Sequence, residues 1–145
     1  MTQDLRTIGS LDEVAELIER RDDVYVRWSR GPAYDHRMES YDELTGVPLP
    51  GLSASPLAVE SWWEGRSVRL WAARRLYDYR HLREVRGSGV RPWVLAGHEV
   101  ARGPDNEPLV VCEEPLAWLA LDVVEEATRL VDEQEGSWGS LNRQR

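Results

Sequence analysis

At 145 residues the chain has the length of one domain, and its 41% apolar, 30% charged composition suits a globule with a single core. The formal net charge of −8 opposes a phosphate backbone, so general nucleic-acid binding is excluded as an expectation. No apolar run approaches the ~20 residues of a membrane span, and Met1-Thr2-Gln3-Asp4 opens without a basic or apolar leader, so a cytoplasmic domain is expected.

Residues 1–9 lack periodicity and are expected to fray. Ser10-Leu11-Asp12-Glu13 reads as a capping box, in which Ser10 accepts from the N3 amide and Glu13 reaches back to the Ser10 amide. Leu11, Val14, Leu17 and Ile18 then share one helical face, which predicts a helix over residues 11–21. Residues 24–29 alternate: Val24, Val26 and Trp28 point one way, Tyr25, Arg27 and Ser29 the other, so a strand is predicted. Residues 30–56 carry seven Gly or Pro and little periodicity, the mark of a long functional or flexible connection, with one helical turn expected at Ser40-Tyr41-Asp42-Glu43.

Residues 67–85 read as a helix with two apolar stripes, Trp71, Arg75, Tyr79, Leu82 and Leu70, Ala73, Leu76, Tyr77, which places it at the centre of the core. Its other arginines, Arg69, Arg74, Arg80 and Arg83 among them, are expected on a solvated face. Gly87-Ser88-Gly89 is a turn. Strands are predicted at 92–96 and 109–113, flanking a loop over 97–108, with Val100 in a further short pairing. Residues 122–135 form an amphipathic helix with Asp122 as N-cap and Gly136 as its stop, followed by a flexible tail from 137 that contains Trp138. The element order does not alternate as a doubly wound fold does. The expected class is α+β: one domain, with a small mixed or antiparallel sheet packed against two to three helices.

Three segments join an apolar anchor to a small polar cluster: Val24-Tyr25-Val26-Arg27-Trp28-Ser29-Arg30-Gly31-Pro32, Gly51-Leu52-Ser53-Ala54-Ser55-Pro56, and Gly103-Pro104-Asp105-Asn106-Glu107-Pro108. Such segments fix polar loops on a rigid scaffold, so one recognition site is expected from Arg27, residues 51–56 and residues 103–107, with Asp105 and Asn106 at its edge. Structural roles compete for each residue. Arg27 can pair with Asp35, Glu39 or Asp105; Ser53, Ser55, Asp105 and Asn106 all suit turns beside Gly and Pro. Trp62-Trp63 is either a stacking platform at the rim of the site or a pair split between core and surface. Cys112, the lone cysteine, falls in a predicted strand and reads as an inert thiol. His36, His81 and His98 have no metal-ligand spacing, so no metal and no cofactor are expected. The partner is an unknown small molecule or protein.

The blocks VYVRWSRGP (24–32), GLSASPL (51–57), RRLYDYRHLRE (74–84) and RGPDNEPLV (102–110) resemble a family of small actinobacterial proteins of unknown function, over about residues 11–131. That resemblance implies a cytoplasmic bacterial domain and no transferable activity. Arg27 on an early strand, Ser53-Ala54-Ser55, and Glu107 at a loop-to-strand junction also resemble, more weakly, the Arg–Ser–Glu order of ADP-ribosyltransferases. That second resemblance implies NAD as substrate. Arg27 would hold the pyrophosphate, Ser53 or Ser55 would orient the nicotinamide ribose, and Glu107 would stabilise an oxocarbenium ion. In that family the Ser-x-Ser element lies on a strand, whereas Gly51 and Pro56 predict a loop here.

Overall fold

The computed structural model describes residues 5–37, 51–63, 66–85, 87, 89–103 and 107–133. Its elements in chain order are β1 (Thr7–Ile8), α1 (Leu11–Arg20), β2 (Val24–Ser29), α2 (Pro32–Arg37), β3 (Leu52–Ser53), β4 (Ser55–Pro56), a single 3₁₀ turn (Ser61–Trp63), α3 (Val68–Tyr79), α4 (Leu82–Val85), β5 (Arg91–Arg102), β6 (Pro108–Leu119) and α5 (Leu121–Glu133). This is an α+β arrangement around a curled, mixed sheet.

The sheet runs β1-β6-β5-β2-β4, with β3 also on β6. All pairings are antiparallel except β1 with β6, where Thr7 aligns with Trp118 and Ile8 with Leu119. The curl follows from one connection. Ser53 pairs with Leu109 of β6, and Ser55 pairs with Val26 of β2. Only Ala54 separates those two serines. The start of β6 must therefore swing over to β2, and the β5–β6 hairpin bends to let it. Register shifts between Val94 and Leu95, Ala96 and Gly97, and Glu99 and Ala101 supply the bend. Gly97 sits where the strands approach most closely: a Cβ there would collide with the Val111 carbonyl.

Two cores result. On one face Val24, Val26, Val94, Ala117 and Leu119 pack against Leu11, Val14 and Ile18 of α1, Ala72, Ala73 and Leu76 of α3, and Val123 and Ala127 of α5. Inside the curl, Trp93, Leu95, Val110 and Ala54 form a second cluster, flanked by Tyr25, Leu52, Cys112 and Trp118. Arg69 ties the helices together, 3.0 Å from Asp12 of α1 and 2.5 Å from Glu126 of α5. Among the described residues no helix is long and apolar enough to cross a membrane.

Several local expectations change. Thr7–Ile8 is a strand rather than a frayed end; Ile8 is fully buried, and Trp118 and Ala120 donate to the Arg6 and Ile8 carbonyls. The capping box forms by half. Ser10 accepts from the Glu13 amide at 3.3 Å; the return bond from the Ser10 amide to Glu13 is not made among the described residues, and the neighbouring Leu11 amide donates to Glu126 at 3.1 Å, a partner 115 residues away. The helix expected over 67–85 breaks after Tyr79, where Arg80 and Arg83 make tighter bonds to the Tyr77 and Arg80 carbonyls. Both hairpin strands are twelve residues long, not five, so 97–102 is strand and not loop, and Val100 belongs to β5. The register shifts fall beside Gly97 and beside Leu95, the partner of Pro115. Asp122 lies in the first turn of α5 instead of capping it, near the positive end of the helix dipole. Arg74 is buried, not solvated. The turn expected at 40–43, the stop at Gly136 and the tail with Trp138 fall outside the described residues.

Candidate functional site

Alternation along β2 sends Val24 and Val26 to the helical layer and Arg27 and Ser29 to the other side. There Arg27 meets α2. Its Nε donates to Asp35 Oδ2 at 2.7 Å and its Nη2 to Oδ1 at 3.3 Å, a two-pronged ion pair with side chains only 11% and 5% exposed. Nη1 donates to the Ser53 carbonyl at 2.8 Å. Ser29 Oγ donates to Asp35 at 2.6 Å and accepts from the Trp93 indole at 2.9 Å and the Gly31 amide at 3.1 Å. Of the three acids that the sequence offers Arg27, the structure selects Asp35; Glu39 and Asp105 lie outside the described residues.

This network fixes the segment 51–56. Ser53 and Ser55 lie on strands rather than in a turn, because β6 and β2 take up the backbone on either side of Ala54. Both serines are half-buried. It is the Ser53 carbonyl, not its hydroxyl, that Arg27 engages. The Ala54 amide donates to the Pro108 carbonyl at 3.3 Å, which brings the start of β6 to the same corner. Glu107 is the next residue. Its carbonyl accepts from the Gly103 amide at 2.9 Å and closes the hairpin, while its carboxylate folds over Gly103, where a Cβ would overlap it. Arg27 and Ser53 therefore meet the start of β6 at one corner of the curled sheet, with Ser55 two residues along on β4 and Glu107 next to Pro108, its carboxylate turned toward Gly103. Asp105 and Asn106 lie outside the described residues.

Trp62 and Trp63 do not join that corner. Trp71 of α3 holds them on the helical side of the sheet, with ring centroids 5.7 Å (Trp62) and 5.5 Å (Trp63) from its own, and Val59, Leu70 and Val131 pack against the cluster. The pair does split: Trp63 is buried and donates to the Ser67 carbonyl at 2.9 Å, whereas Trp62 is 37% exposed.

Sequence reasoning missed the polar groups inside α3. Arg74 and Asp78 form a buried pair at 2.8 Å, an i,i+4 spacing that was legible in the chain. Burial pushes the Asp78 carboxyl above its ordinary value, with Arg74 opposing. Arg75 lies over the Trp71 ring at 5.6 Å. Inside the curl, burial pushes the Cys112 thiol up, which disfavours the thiolate, and also raises Tyr25. Among the described residues no three His, Cys, Asp or Glu side chains gather to hold a metal ion.

At this corner the Ser53 carbonyl is taken by Arg27, and the Glu107 carboxylate lies against Gly103. Arg27 does not serve as sketched for a pyrophosphate, because the edges of its guanidinium face Asp35 and Ser53. No curated protein matches the chain, and no solved structure matches it. A family model described as a family of unknown function, DUF6098, matches residues 1–139, and the chain belongs to that family.

Proposed function

We propose that this chain is a recognition domain whose site is the corner formed by residues 51–56 and Glu107, and that it binds a small molecule or a protein segment rich in hydrogen-bond donors. One observation carries the reading: a buried ion pair, Arg27–Asp35, is committed to a backbone carbonyl of the segment that presents Ser53 and Ser55. A scaffold that orders a short polar segment so firmly presents it in one fixed shape, which lowers the entropy lost on binding. The acidic surface favours cationic or donor-rich partners over nucleic acid.

A thermal-shift screen against amino acids, polyamines, basic peptides and nicotinamide dinucleotides tests it. A ligand at 100 times its dissociation constant adds about 2.7 kcal/mol of stability. The reading expects a compound whose shift disappears in Ser55→Ala and Glu107→Gln, both still folded. A hit whose shift both variants retain, or a screen with no hit, counts against this corner.

A second reading keeps the same residues for NAD chemistry. It draws support from Ser53 and Ser55 lying on strands beside the start of β6, the placement that the ADP-ribosyltransferase resemblance asks for. It would require Arg27 to exchange Asp35 for a pyrophosphate. Slow dinucleotide hydrolysis that Glu107→Gln abolishes would favour it over simple recognition.

A further inference from the structure

The helical layer holds a second, differently built candidate. Arg75 is 92% buried, yet its Nε has no hydrogen-bond partner. Its neighbour Arg74, buried as deeply, has its Nε on Asp78 at 2.8 Å. Buried charges are ordinarily paired, and a guanidinium left without an acceptor is costly. Arg75 has the charge of Asp78 nearby, three residues on, and an aromatic neighbour, Trp71, 5.6 Å from its Cζ. Trp62 packs edge-on against that same ring at 5.7 Å and is 37% exposed, which makes it one of three large apolar side chains open to solvent among the described residues. Arg66 adds a second cation over Trp63 at 4.5 Å. In a chain of net charge −8, this is a small cationic and aromatic patch, with an indole outside and a guanidinium within whose Nε lacks an acceptor. Asp78 is the opposing acid. Its Oδ1 is taken by Arg74, and its Oδ2 lacks a hydrogen-bond partner.

We propose that the Trp62–Arg75 face is a binding site for a small planar anion, an aromatic ring bearing a carboxylate or phosphate. The ring stacks on Trp62, and the anion supplies the acceptor that Arg75 Nε lacks. Both residues lie against the Trp71 ring, the Trp62 centroid 5.7 Å and the Arg75 Cζ 5.6 Å from its centroid, so that ring is the bridge between the two halves of the site. The site is independent of the corner at residues 51–56 and lies on the other side of the sheet.

The test is calorimetric titration of the full chain with benzoate and with adenosine monophosphate. Controls carry the ring alone (benzamide, adenosine) or the anion alone (acetate, inorganic phosphate). The expected result is binding of at least one ring-bearing anion at least tenfold tighter than its two controls. Trp62→Ala and Arg75→Gln should each weaken that binding tenfold or more, while Glu107→Gln, at the other site, leaves it unchanged. Trp62 is half outside the core, so Trp62→Ala decides the matter if Arg75→Gln fails to fold. Binding by neither probe, equal binding of the controls, or full affinity in Trp62→Ala would each overturn the proposal.

Discussion

The Arg27–Asp35 pair is the sharpest handle on how the corner is held. Asp35→Ala removes the acceptor of three hydrogen bonds, from Arg27 Nε at 2.7 Å, Arg27 Nη2 at 3.3 Å and Ser29 Oγ at 2.6 Å. It leaves a guanidinium that is 11% exposed with only the Ser53 carbonyl. Breaking a buried pair by deleting one partner costs about 3–5 kcal/mol, because the other charge stays buried. Against a typical domain stability of about 5–15 kcal/mol, that is between roughly a fifth and the whole. For a chain of this size the midpoint should fall by roughly 10 °C, at about 2–4 °C per kcal/mol. Removing both charges, in Arg27→Met with Asp35→Ala, should recover at least about 2 kcal/mol relative to additive single changes. Urea unfolding of the four proteins at constant m value measures the cycle. An Asp35→Ala loss below about 1 kcal/mol, or additive single changes, would refute the claim that this pair anchors residues 51–56.

Three further outcomes are expected. Gly97→Ala should destabilise by at least about 2 kcal/mol, since its Cβ would meet the Val111 carbonyl and approach Val110 Cγ1 to 2.9 Å; unchanged denaturant midpoints would show that the hairpin can relax there. Burial raises the Glu126 carboxyl, but the Leu11 amide and Arg69 outweigh it and hold the group below its ordinary value. Its contribution is therefore full above the unfolded pKa of about 4.3 and lost as pH falls through the lower folded value, so the stability gap between wild type and Glu126→Gln should close on acidification; a gap that widens toward acid pH would reverse the sign. Cys112, half-buried with a raised pKa, should react with iodoacetamide at pH 8 at least tenfold more slowly than in urea, and equal rates would place the thiol in open solvent.

Where side-chain periodicity was strong, local sequence was sufficient. The apolar face Leu11-Val14-Leu17-Ile18 specified α1, and the alternation from Val24 to Ser29 specified β2 to the residue, because burying one face allows each segment a single period. The sequence also offered Asp35 as a partner for Arg27, eight residues on and within reach of a strand-to-helix turn. What stayed hidden depended on contacts between residues far apart in the chain. Ser53 and Ser55 are strand residues only because β6 and β2 arrive on either side of Ala54, and no pattern within six residues encodes that. Gly97 opened the predicted loop, but register shifts in the β5–β6 ladder carry the pairing past it, which turns two predicted five-residue strands into a long curled hairpin. Arg75 fell in an apolar stripe and was read as part of it; that its guanidinium would be buried on Trp71 with its Nε lacking an acceptor depends on how the layers close over α3. Periodicity is a property of the chain alone. Enclosure and the pairing of charges belong to the assembled layers, and they decided where the two candidate sites lie.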